Sequence, residues 1–363
     1  MGFDKGSVSF SIFELPKDLP NDLPALFAAH KACPLDAATA DPQWGWVTGR
    51  HMLDSAIDEA SAQRGGCYHL MLRQTVRKIP TALLNALCKR EEYAYMKANN
   101  QDFISGKVRR QLKEEVVEKY INKMPPTLSG IPMVIEPNEK LLYVGATSQN
   151  QLDVFIDNFY NATKIEPLQF TLGTILDREF HTNETALPPL QIGDLPVSEP
   201  QTGRDFLMFL WYYGETVGKL ELEHYGEFDL MIEAPLVFAG AGDERGAGEA
   251  DLKKGDSPLR SAEAKAAVAV GKKLRKAKLT LTRGEQIWSG SFDADKFAFS
   301  SVRLPEGEEM DEEERFAERI TNLGVFKEAL TGYFRLFVNA LLGDAGKKTG
   351  ASIRDWAKNR DAV

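Results

Sequence analysis

GKKLRKAKLTLTRGEQIWSGSF, residues 271–292, alternates from Lys276 onward in a way that fixes how this part of the chain folds. Successive side chains of a strand point to opposite faces. Lys276, Lys278, Thr280 and Thr282 therefore share one face, and Ala277, Leu279 and Leu281 share the other. One face is apolar and the other is cationic and hydroxyl-rich, the pattern of an antiparallel strand with one buried and one wet side. Arg283 and Gly284 mark a turn, EQIWSGSF returns as a second strand, and FAFSSVRL reads as a third. Upstream, Ser261 to about Arg275 is Ala-rich and predicts a helix, which would place Lys272, Lys273 and Arg275 at its C-terminal end, where cations offset the macrodipole.

The rest of the chain mixes the same two kinds of element. VSFSIFEL and GCYHLMLRQTVRKI read as strands, with WGWVTGR between them as a loop. TALLNALCKREEYAYMKANN has helical spacing, and a second helix runs from Gly106 to about Met124, where Pro125 and Pro126 stop it. IPMVIEP and KLLYVGAT are short strands, followed by the helical QLDVFIDNFYNAT. Arg204–Thr216 is helical and aromatic, Leu230–Phe238 is strand-like, Ala239–Ala250 is a Gly/Ala loop, and FAERITNLGVFKEALTGYFRLFVNALL is a long helix ending at Gly343. The class is α+β, antiparallel sheets with packed helices. The elements divide into an N-terminal region, residues 1–200, a C-terminal region, 201–345, and a basic tail, 346–363.

Charge is segregated along the 363 residues. The formal total is −9, yet Lys107–Lys123 has six bases against three acids, and Lys265–Arg283 has seven bases and no acid. Glu306–Arg319 reverses this with eight acids against two bases. Solvated faces account for many charge runs, but lysines alternating with threonines also suit a phosphate backbone. The helix after Gly106 begins with cations, the unfavourable end for them, which suggests a partner supplying negative charge.

Catalytic and membrane classes find little support. The five histidines form no HExxH or other close pair, and no apolar stretch approaches the roughly 20 residues that span a bilayer. Three cysteines without a CxxC argue against a disulfide framework and for a cytoplasmic protein. One nuclease-like trace exists: Asp256 upstream of Glu263 and Lys265. The latter two sit in a helix-forming stretch, where i and i+2 point to different sides. A metal-dependent nuclease using these three residues stays open as an alternative, as does an interaction module whose basic islands dock an acidic partner.

Several stretches resemble the RdgC family of bacterial recombination-associated DNA-binding proteins. They are Gly45–Val47; the strand carrying Arg73, Arg77 and Lys78 into Ile79 and Pro80; LKEEVVEKYINKMPP with the IPMVIEP and KLLYVGAT strands; Asp251–Phe292; the acidic stretch; and the helix from Phe316. The family has been labelled a putative exonuclease, but the residues offer no carboxylate constellation, so the chain is read as non-enzymatic with no cofactor or metal. The resemblance implies a nucleoid-associated DNA-binding protein. It further implies an elongated subunit forming a ring-shaped homodimer around double-stranded DNA and limiting RecA-promoted strand exchange. Carried over by position, it makes Arg73, Arg77, Lys78, Lys107, Arg109, Arg110, Lys113, Lys253, Lys254, Lys272, Lys273, Arg275, Lys276 and Lys278 the candidate DNA-binding residues. A basic lining inside an acidic exterior reconciles local positive charge with the negative total.

Overall fold

The computed structural model describes residues 2–193, 197, 200–240, 247–253, 258–307, 311–343 and 345–359. The first half contains strands β1 (Val8–Glu14), β2 (Gln43–Thr48), β3 (Gln63–Arg64), β4 (Cys67–Arg77), β5 (Pro126–Glu136), β6 (Leu141–Val144) and β7 (Leu168–Gln169). Its helices are α1 (Leu23–Ala29), α2 (Glu59–Ala62), α3 (Thr81–Asn99), α4 (Gly106–Ile121), α5 (Gln149–Thr163) and α6 (Leu172–Phe180). The second half contains α7 (Thr202–Thr216), β8 (Lys219–Leu222), β9 (Gly226–Ala239), β10 (Glu249–Leu252), α8 (Ala262–Ala269), β11 (Lys273–Arg283), β12 (Gln286–Asp293) and β13 (Ala298–Arg303). Helices α9 (Glu312–Leu341) and α10 (Ala345–Asn359) complete it. No described helix is long and apolar enough to cross a membrane.

The α+β class holds, with one large antiparallel sheet in the order β10-β9-β11-β12-β13-β1-β6-β5-β4-β2. β1 joins the halves. Val8 and Phe10 pair with Val302 and Phe299 of β13, while Ser11–Glu14 pair with Val144–Leu141 of β6. Two cores result. On one, α7 and the 30-residue α9 pack on the sheet, and the Trp288 indole N–H reaches the Asn322 carbonyl at 3.0 Å. On the other, α1 and α5 cover the N-terminal strands, where Trp46 meets Phe27 and Phe155 edge-on.

The hairpin at 276–292 forms as its alternation predicts. Ala277, Leu279 and Leu281 are buried, while Lys276, Lys278, Thr280 and Thr282 are half-exposed, and β11 pairs with β12 from Lys276↔Asp293 to Arg283↔Gln286. Gly284 supplies the positive φ, +57°, that its turn needs.

The fold departs from the sequence expectations at β2 and at the start of β11. WGWVTGR is not a loop: residues 43–48 form β2, paired with β4 from Gln43↔Thr75 to Thr48↔Leu70. Gly45 allows this, since a Cβ there would lie 2.4 Å from the Ala32 Cα. The Ala-rich helix stops at Ala269, where Gly271 takes φ +85°, so Lys273 and Arg275 belong to strand β11 rather than to a helix end. The apolar stretches LFVNALL of α9 and FLWYY of α7 are enclosed: Phe337, Val338, Leu341, Phe209, Leu210 and Trp211 lie inside the first core. The tail is helical over α10, whose Trp356 packs edge-on against Trp211 at 5.3 Å.

Candidate nucleic-acid interface

Helices α3 and α4 form an antiparallel arm that leaves the sheet at Arg77 and returns at Pro126. Asn100 ends α3 in the left-handed region, φ 51°, and the Ser105 hydroxyl caps α4 by accepting from Val108 N–H. Along both helices only Leu87 and Val116 are buried. The arm therefore projects with most of its surface in solvent. Polar ties hold the two helices together: Arg109 pairs with Glu92 at 3.1 Å, and Arg90 donates to the Tyr120 hydroxyl at 2.8 Å.

From Lys78 to Lys123 the arm carries ten bases against six acids, in a chain whose formal total is −9. Lys78, Lys89, Lys97, Lys107 and Lys113 are all exposed and form no ion pair among the described residues. Arg110 lies beside Glu114 at 3.4 Å, but both are so exposed that the pair contributes little. The arm also displays aromatic surface, with Phe103 in the α3–α4 connection 78% exposed and Tyr93 61% exposed.

Two arginines at the arm's base have another role. Arg73 is only 3% exposed, with its guanidinium spent on Thr75 Oγ1 at 3.0 Å, the Met52 carbonyl at 3.1 Å and the Cys33 carbonyl. It cannot reach DNA, which corrects its place among the candidates. Arg77 donates to the carbonyls of Ala38, Met124 and Leu35, tying the end of α4 to β4. It positions the arm.

The sheet stretch holds less free charge than its sequence promises. Lys273 is 1% exposed and donates to Asp205 inside the first core, so it too is removed from the interface. Burial pushes the Asp205 carboxyl above its ordinary range, opposed by Lys273. Lys278 lies 2.9 Å from Glu233, which also accepts from Thr280 at 2.6 Å; these bonds hold the Glu233 carboxyl below its ordinary value. Arg275 stands between Glu249 and Asp293, and Lys272 donates to the Ala247 carbonyl at 2.5 Å. Lys276 keeps an uncommitted ammonium among the described residues. Lys253 is exposed beside Asp251 at 2.9 Å, and Lys254 lies outside the described residues.

Asp256 of the nuclease-like trace is likewise outside the described residues, while Glu263 and Lys265 are exposed on α8. Among the described residues, no three His, Cys, Asp or Glu gather to hold a metal ion.

A family comparison runs from β1 to the start of α6 and includes the whole arm. Residues 9–173 match the RdgC family. The family carries the description "Putative exonuclease, RdgC". No curated protein matches the chain. The RdgC match ends before α7, so β11 and its lysines lie outside it, while Lys78, Lys107, Arg109, Arg110 and Lys113 lie within. Sequence reasoning missed Lys89 and Lys97 of α3. Their signal was present, since a short connection makes two consecutive helices antiparallel neighbours.

Proposed function

We propose that this chain is a recombination-associated protein that binds double-stranded DNA through backbone phosphates without reading bases. One observation carries the reading: an exposed helical arm, inside the RdgC-matched span, whose lysines have no acidic partner among the described residues. Such groups can exchange condensed counterions for phosphates, which drives sequence-independent binding. By occupying DNA in the cytoplasm at the nucleoid, the protein would limit RecA-promoted strand exchange, without chemistry of its own.

The direct experiment is fluorescence anisotropy with two labelled duplexes of equal length and unrelated sequence. The expected result is similar affinity for both at low salt and a steep loss as salt rises. Failure to bind at low salt contradicts the proposal, and Mg²⁺-dependent shortening of the duplex favours the nuclease alternative.

The subunit is proposed to act as a homodimer closed into a ring at the arm tips. With LFVNALL and FLWYY inside the core, Phe103 and Tyr93 are the aromatic surface left uncovered on the arm. Burying an exposed Phe contributes about 1.5–3 kcal/mol, and two-fold symmetry counts it twice. Phe103→Asp is expected to convert a dimer into a monomer at micromolar concentration in sedimentation velocity. A wild-type monomer, or a variant that stays dimeric, contradicts this geometry.

A further inference from the structure

A cleft of about 390 Å³ opens between β2 and the end of α5, lined by His30, Lys31, Trp44, Asn158, Asn161 and Lys164. Its volume lies within the roughly 300–1,000 Å³ typical of small-molecule sites. The lining has three basic side chains, two carboxamides, one indole and no carboxylate.

Its parts are fixed by the fold. Trp44 and Trp46 are two apart on β2. Trp46 fills the second core, and Trp44 packs half-buried against the same core, so its ring is held rather than free. The Trp46 backbone N–H donates to the His30 carbonyl at 3.0 Å and the Ala32 N–H donates to the Trp46 carbonyl at 2.9 Å, which pins Lys31 beside β2. Only glycine at position 45 permits so close an approach. From the other wall, Asn158 and Asn161 lie three apart on the last turns of α5, and Lys164 follows as its left-handed C-cap residue. Asn158 donates to the Val154 carbonyl, leaving its own carbonyl oxygen to accept, and Lys164 sits 5.5 Å from the centroid of the Tyr160 ring.

Helix-end electrostatics explains part of this: His30 and Lys164 cap the C-termini of α1 and α5. It does not explain Lys31, the paired amides or the indole meeting in one carboxylate-free cleft. We propose that this cleft binds an unpaired nucleotide, with the phosphate on Lys31 and Lys164, the base against the Trp44 indole, and the base edge read by Asn158 and Asn161. The site is separate from the arm and extends the DNA-binding reading to a second nucleic-acid form.

The test uses the full-length protein and a five-residue oligothymidylate, with thymidine monophosphate and inorganic phosphate as comparators. Lys31→Ala with Lys164→Ala, both exposed, is expected to weaken oligothymidylate binding roughly tenfold or more at 0.1 M salt. Trp44→Phe is expected to abolish the quenching of tryptophan fluorescence by the oligonucleotide while leaving the melting transition in place. Duplex binding is expected to be unchanged in the lysine variant, and an arm variant is expected to keep the oligothymidylate response, so the two readings fail separately. Wild-type affinity in the Lys31/Lys164 variant, or a wild-type response matched in full by inorganic phosphate alone, overturns the proposal.

Discussion

Lys273→Ala is expected to destabilise the protein by about 3–5 kcal/mol, because it strands a buried carboxylate. Lys273 and Asp205 are both almost fully enclosed, and the Asp205 carboxylate also accepts from the Leu190 N–H at 3.2 Å. Single-domain stabilities are roughly 5–15 kcal/mol, so the loss is a large share of the whole. At roughly 1.3 °C per kcal/mol for a chain of this size, the melting temperature should fall by about 4–7 °C. The pH dependence has a definite sign. Burial holds the Asp205 pKa above its ordinary value of 3.8, and removing Lys273 takes away the main opposing influence. The folded variant then takes up a proton more readily than the unfolded chain. Its deficit should be full well above the raised pKa and shrink as pH falls towards 3.8. Replacing both partners by apolar residues of similar size should recover most of the loss. Calorimetry showing wild-type melting for Lys273→Ala would mean that this pair does not anchor α7 to β11.

The second large effect is on binding. Lys97→Ala, Lys107→Ala and Lys113→Ala together remove three exposed ammonium groups that hold no ion-pair partner among the described residues. Each substitution should change stability by no more than about 0.5 kcal/mol. If each ammonium meets one phosphate, duplex affinity at 0.1 M salt should fall by about 10²- to 10³-fold. The same change on the sheet should do less: Lys276→Ala with Lys278→Ala removes one uncommitted charge and one already engaged by Glu233.

The β11–β12 hairpin was legible because alternation with a glycine turn is a local signal, and local signals need no knowledge of the partner. β2 was not. Trp44-Gly45-Trp46 has the composition of a loop until Ala32 is seen to need the space that a Cβ at position 45 would take. The candidate site divided along the same line. Exposed lysines on α4 follow from helical spacing, whereas Arg73 and Lys273 look identical to them in sequence. What separates them is distant: Lys273 finds Asp205 across 68 residues, and Arg73 finds carbonyls at Cys33 and Met52. A charge count cannot distinguish a cation solvated at the surface from one enclosed with its counterion. The exposure of the arm was equally hidden, since Leu83, Leu87 and Tyr93 in α3 suggest a core face that the fold mostly leaves in solvent.

The measurement closest to the central claim is the salt dependence of duplex binding by the wild type and by the Lys97/Lys107/Lys113 triple variant, followed by anisotropy from about 0.05 to 0.2 M salt. The expected outcome is a slope of log affinity against log salt shallower by about 2.7 in the variant, close to 0.9 for each phosphate the protein no longer neutralises, with an unchanged melting transition. A variant with the wild-type slope and wild-type affinity would contradict the claim that the arm carries the DNA.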